Sequence, residues 1–349
     1  MTLQQPTTQS HELPYRMALL LACATFPLIW VGGLVTTYDA GMAVPDWPST
    51  NGYNLFFYPW QMWVYGPWNT FVEHGHRLLG ALVGFITIVF LATIFWKEQR
   101  VWMRVLAVVA LFAVIGQGVL GGMRVLQVNN QLAMIHGCFG PAFFAFTAAL
   151  VAFTSREWRE ATQATTGHVE RIHRLAVLTP LFAYIQLVLG ATLRHPAVDA
   201  APSFFQTAVI FHLIFAAAVM AHVVLLSREV RRAQQVESLQ SPARMLVFLV
   251  CGQIGLGIAT WVVKYNWPSW FTQFSWMAGY VVQEKSLGQS MTVTAHVAVG
   301  SLILALSVYV GVFVFRLRNP WPAERVRSFQ RQNGANHVAC SLLPSEVRA

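Results

Sequence analysis

The stretch that decides the fold is residues 72–96, VEHGHRLLGALVGFITIVFLATIFW. Its charges stand in the first two turns, at Glu73 and Arg77, and residues 78–96 carry none. At 1.5 Å per residue such a run makes a helix long enough to cross a hydrocarbon layer of about 30 Å. Working outward, runs of the same kind recur at about 17–36, 103–122, 132–153, 174–193, 205–226, 245–264 and 291–315. The 349-residue chain is 56% hydrophobic and 11% charged with a mean hydropathy of +0.50. A soluble domain has about 25% charged residues, so this composition excludes one. The expectation is an all-α polytopic membrane protein with eight transmembrane helices. The first run lacks a small-residue cleavage site and is read as a retained helix.

Basic residues then report topology. Of the 23 Lys and Arg, 18 fall on the side shared by the two termini, leaving Arg77, Arg124, Arg194, Lys264 and Lys285 opposite. Both termini are expected to be cytoplasmic. This asymmetry accounts for the +9 net charge, so no nucleic-acid partner is expected, while an anionic lipid leaflet would attract the basic loops. Cys23, Cys138 and Cys251 lie in spans and Cys340 in the tail, and no structural disulfide is expected.

The spans repeat. Gln117-Gly118-Val119-Leu120-Gly121-Gly122, Gln186-Leu187-Val188-Leu189-Gly190-Ala191 and Gln253-Ile254-Gly255-Leu256-Gly257-Ile258 close the third, fifth and seventh, and Trp30-Val31-Gly32-Gly33 the first. Even-numbered spans carry a histidine near the outer end: His76, His136, His212 and His296. The steps from His76 to His212 and from Gln117 to Gln253 are both 136, while His136 to His296 is 160, the excess falling in the loop between spans seven and eight. Two landmarks with one offset indicate duplication into two pseudo-symmetric four-helix bundles related by an axis along the membrane normal. The glycines are read as allowing close helix approach.

Ionisable groups inside a membrane are costly, so the histidines are functional candidates. Imidazoles from facing helices can ligate haem iron from both faces, which pairs His76 with His136 and His212 with His296. A hydrogen bond between helices is the plain alternative for any one of them. His74 diverges from His76 by about 200° and cannot share its iron, and His222 lies roughly 15 Å deeper than His212 without a partner at that depth. His11, His168, His173, His195 and His337 read as solvated or locally hydrogen-bonded groups. Glu73 precedes His76 by one turn and could lie over the edge of a haem there, yet its equivalent in the second half is Val209. An i,i+4 pair with Arg77 is the competing role for Glu73. Arg124 and Arg194 could hold haem propionates, or snorkel at helix ends.

These residues resemble the haem A synthase family. The resemblance runs from Gly32-Gly33-Leu34-Val35-Thr36 to His296 and includes Glu73-x-x-His76-Arg77, Ala40-Gly41-Met42-Ala43-Val44-Pro45-Asp46-Trp47-Pro48 and the four histidines. It implies that the C8 methyl of haem O is hydroxylated twice, and that the gem-diol loses water to give the formyl group of haem A for cytochrome c oxidase. His76 and His136 would then bind the substrate haem O and its product haem A. Glu73 would be catalytic, and His212 and His296 would ligate a haem b that relays electrons. It further implies a multi-pass protein of the plasma (inner) membrane with haem sites toward the outer face. Haem O synthase and oxidase assembly factors are candidate partners, and a homo-oligomer a candidate state. Many bacterial members carry a cysteine pair in the first outer loop, whereas this chain has Val44 where one might stand and no cysteine between residues 37 and 71.

The expected organisation is an N-terminal half at 1–160 with the catalytic site, a C-terminal half at 161–319 and a cytoplasmic tail at 320–349. Two other readings compete. A bis-histidine electron-transfer cytochrome would leave Glu73 without a purpose, and a transporter would place polar groups nearer the midplane.

Overall fold

The computed structural model describes residues 12–162, 168–196, 200–271, 273–274, 277 and 279–319, so the tail at 320–349, His11, His337 and Cys340 lie outside the described residues. The long helices are α1 Glu12–Thr37, α2 Trp68–Lys97, α3 Val101–Leu126, α4 Asn130–Thr154, α5 His168–Arg194, α6 Pro202–Arg232, α7 Gln240–Tyr265 and α8 Leu287–Arg318. All eight are long and apolar enough to cross a membrane, and the chain is a multi-pass integral membrane protein. The helices outrun the apolar stretches at most ends. Main-chain groups near a bilayer are satisfied most cheaply by continuing the helix, so the polar flanks stay helical.

The helices form two closed rings. In the first, α1 packs on α2, α2 on α3, α3 on α4 and α4 back on α1; in the second, α5 to α8 repeat the circuit. The rings meet where α8 lies along α4 and α1, and where α4 touches α5. The equivalent helices α4 and α8 thus form the centre of the molecule, and they are the most buried of the eight. Side chains facing lipid remain apolar, as at Phe85, Phe112, Leu213 and Phe248.

We call the end bearing the 38–67 and 266–286 loops the outer end. The two larger buried apolar clusters occupy the other end. One includes Leu21, Val83, Phe90, Ile94, Met103 and Leu150; the second runs from Ile172 and Leu226 to Leu246, Val310 and Phe313. All four span histidines lie outward of these clusters. α4 and α8 both start from a side-chain cap. Asn129 Oδ1 accepts the N–H groups of Gln131 and Leu132, and Ser286 Oγ accepts that of Gln289. Such caps fix a helix start, and with it the depth of His136 and His296.

Candidate functional site

The histidines meet in the expected pairs. The rings of His76 and His136 have centroids 6.3 Å apart, and those of His212 and His296 are also 6.3 Å apart. The first pair is nearly perpendicular at 88° and the second is tilted at 58°. Metal–imidazole bonds of about 2.0 Å, with the radii of two five-membered rings, place ring centres roughly 6 Å apart across a shared metal. Among the described residues no group of three or more His, Cys, Asp or Glu could hold a metal ion. Two facing imidazoles without a third protein ligand suit an iron whose other four ligands come from a porphyrin.

The repeated glycines are the walls of these pairs. A Cβ on Gly32 would lie 2.8 Å from His76 Cε1, and one on Gly121 2.9 Å from His136 Cε1. On Gly190 and Gly257 it would lie 3.2 Å from His212 and His296. By sequence these glycines read as helix–helix contacts; in the structure each admits an imidazole from the next helix. The signal was present, since glycine and histidine sit at the same outer end of consecutive spans. Each ring also lies beside the main-chain carbonyl of the residue one turn before its glycine, at Leu28, Gln117, Gln186 and Gln253. All four Nδ1 atoms are buried without a hydrogen bond of ordinary geometry. A metal on the other ring nitrogen would polarise Nδ1–H toward that carbonyl, the usual support of a ligating histidine.

The glutamines add a second device that the sequence did not disclose. Gln117 Nε2 donates to the carbonyl of His136 and Gln253 Nε2 to that of His296, each at 2.8 Å. Room for the amide comes from Gly140 and Gly300, four residues after each histidine.

The Glu73–Arg77 segment divides its labour. His76 faces inward, while its neighbours fasten the outer loop. Arg77 donates to the carbonyls of Val44, Asp46 and Ser49, all at 2.7 Å. Glu73 Oε1 accepts from Arg77 at 2.8 Å and Oε2 from the Val44 N–H at 2.9 Å, with Glu73 only 2% exposed. His74 Nδ1 is 3.0 Å from Thr50 Oγ1, and its ring packs against Tyr58 and Trp63. Trp47 sits against Gly122 of α3. Asp46 ties the loop to itself by accepting from the N–H groups of Asn51 and Gly52. Burial would raise its carboxyl, but Ser49 and those two N–H groups outweigh it and hold the pKa below 3.8.

Arg124 acts electrostatically on Glu73, His76 and His136, and its guanidinium lies against Gly41. Arg194 acts on His296, but its Nη2 also donates to the Gly33 carbonyl at 2.6 Å and to Thr37 Oγ1 at 2.7 Å. His195, expected to be solvated, is half-buried beside Arg194, Arg124 and Lys264, and burial with those cations lowers its pKa from 6.5 to about 4. His222 is spent locally, with Nδ1 2.9 Å from the Ala218 carbonyl and its ring edge-on to Phe182.

The fold and the site define an eight-helix membrane protein with a histidine pair in each half. Residues 67–204 match the COX15-CtaA family model, described as cytochrome oxidase assembly protein. A protein named Heme A synthase from Shouchella clausii is 24% identical over 278 residues, 73% of this chain and 89% of the relative. Another of that name from Symbiobacterium thermophilum is 32% identical over 183 residues, 48% of this chain and 54% of the relative. A third, from Listeria monocytogenes, is 32% identical over 142 residues, 39% of this chain and 43% of the relative. The chain is thus similar to the haem A synthase (COX15-CtaA) family, over residues 67–204 for the family model and over longer or shorter stretches for these relatives. The family-model match covers Glu73, His76, Arg124, His136 and Arg194 and stops before His212.

Proposed function

We propose that this protein makes haem A, oxidising the C8 methyl of haem O to a formyl group by two successive hydroxylations. The observation that carries this is the pair of equal 6.3 Å histidine spacings on equivalent helices, with a carboxylate, Glu73, one turn before His76 where the second half has Val209. In this reading residues 1–160 form the substrate half and residues 161–319 the electron-relaying half. His76 and His136 hold the substrate haem O, and His212 and His296 hold a haem b. The haem b supplies one-electron transfer when bound. The chain's own groups position and neutralise. The glycine walls set the imidazole planes, and Arg124 and Arg194 supply positive charge for anionic substituents of the two haems. Glu73 is paired with Arg77, with about two of its four acceptor positions still open to stabilise positive charge at the reacting carbon or to accept a proton. The 38–67 loop, fastened over the outer end of α2 and α3, excludes water from this half.

With both termini cytoplasmic, the sites lie toward the outer face of the inner membrane. Haem O synthase and oxidase assembly factors are the partners this role would need.

One observation favours a second reading. Both Glu73 oxygens are already engaged, so the residue has a structural purpose even in an electron-transfer cytochrome without catalysis. Replacing Glu73 with Gln and chromatographing the extracted haems from cells that supply haem O decides between them. Haem O accumulation with little haem A is expected; a normal haem A level in the variant would show that Glu73 is structural, whereas no haem A with the wild type would establish the cytochrome.

A further inference from the structure

We propose that Arg194, contributed by the C-terminal half, is a positioning residue for the N-terminal histidine pair: it clamps the end of α1 and so holds the wall on which His76 rests. The contacts are on one short path. Gly32 and Gly33 are adjacent on α1 and point about 100° apart, toward different neighbours. A Cβ on Gly32 would strike His76, while one on Gly33 would lie 2.8 Å from Thr294 Cγ2 of α8. α1 is therefore wedged between the His76 ring and the turn that leads to His296. Arg194 Nη2 donates to the Gly33 carbonyl and to Thr37 Oγ1, and Thr37 Oγ1 itself donates to that same carbonyl at 2.8 Å. A cation at the last turn of a helix meets the negative end of its dipole. Among the described residues Arg194 pairs with no carboxylate, so this helix end is its only fixed counter-charge from protein.

The same turn of α5 serves the other site. Gly190 lies against His212, and Arg194 follows one turn later. One stretch of five residues thus touches the wall of both histidine pairs. The step from Gly190 to Arg194 transmits a displacement of either wall to the other. By sequence alone Arg194 belongs to the second half; its hydrogen bonds are to the first.

The functional meaning rests on His76 being a haem ligand, but the clamp does not, and the test separates them. The full-length protein is prepared haem-free as wild type, Arg194→Gln and Arg194→Lys, and modified with diethyl pyrocarbonate. Mass spectrometry then reads the rate at His76, with His222 as the internal reference. A severalfold faster rate at His76 in Arg194→Gln, unchanged at His222 and largely restored in Arg194→Lys, is expected. Equal rates at His76 in wild type and Arg194→Gln would overturn the proposal, as would acceleration at both histidines. In the haem-loaded protein carrying His212→Ala, the low-spin ferric electron paramagnetic resonance signal of the remaining haem should shift on adding Arg194→Gln. If the haem-free rates respond but the wild type gives no low-spin signal, the clamp stands and the haem reading falls.

Discussion

Glu73 and Arg77 are paired at 2.8 Å with side chains 2% and 10% exposed, and the same guanidinium holds three carbonyls of the outer loop. This is not a surface i,i+4 pair of a few tenths of a kcal/mol. Removing one partner of a buried pair leaves the other uncompensated and costs about 3–5 kcal/mol. Arg77→Leu is expected to lose stability on that scale and to release the 44–49 segment, as read by thermal unfolding in detergent and by protease sensitivity of the loop. Glu73→Gln keeps an acceptor for the Val44 N–H and should lose clearly less. Equal losses in the two variants would contradict this division.

The glycine walls differ in tightness between halves, and the difference is testable. A contact below 3.0 Å forces a shift of ring or backbone, whereas 3.2 Å can be absorbed by small movements in a close-packed interior. Gly32→Ala and Gly121→Ala should therefore deplete the haem of the first half. Gly190→Ala and Gly257→Ala should leave the second half loaded with at most a small spectral shift. The haem-to-protein ratio of each purified variant gives the answer, and a loss confined to the second-half variants would refute the wall assignment.

The basic residues predict cytoplasmic termini. A fluorescent protein fused after Arg318 should fluoresce and a periplasmic phosphatase at the same point should be inactive, while a phosphatase inserted at Gly52 should be active. The opposite pattern would move the histidine pairs to the cytoplasmic side.

Eight spans, their connectivity and the pairing of the histidines were legible in the sequence because each rests on a local or periodic signal. A run of apolar residues needs no partner to be read, and the 136-residue offset between His76 and His212 needs only counting. The roles of Gly32, Gln117 and Arg194 were not legible. Each depends on which face of a helix meets which neighbour, and small residues near a membrane helix end have several uses. Gln117 donates to a main-chain carbonyl opened by Gly140, a relationship between two helices that no spacing within either one announces. Arg194 crosses from one half to the other, the kind of contact that a reading based on internal repetition assigns to the wrong half.

His195 supplies a pH dependence. Burial first, and then Arg194, Arg124 and Lys264, depress its pKa from 6.5 to about 4. The unfolded chain takes up this proton near pH 6.5, while the folded chain does so only near pH 4. Between those values the unfolded state binds more protons, so stability rises with pH. The contribution is fully present above about pH 6.5 and is lost as the pH falls toward 4. Discounted for partial exposure it is on the order of 1 kcal/mol. Wild-type unfolding midpoints in detergent should fall between pH 7 and pH 5, and His195→Gln, which cannot take up the proton, should flatten part of that decline. Parallel pH profiles for the two proteins would show that the imidazole is solvated after all and that the cations around it are screened.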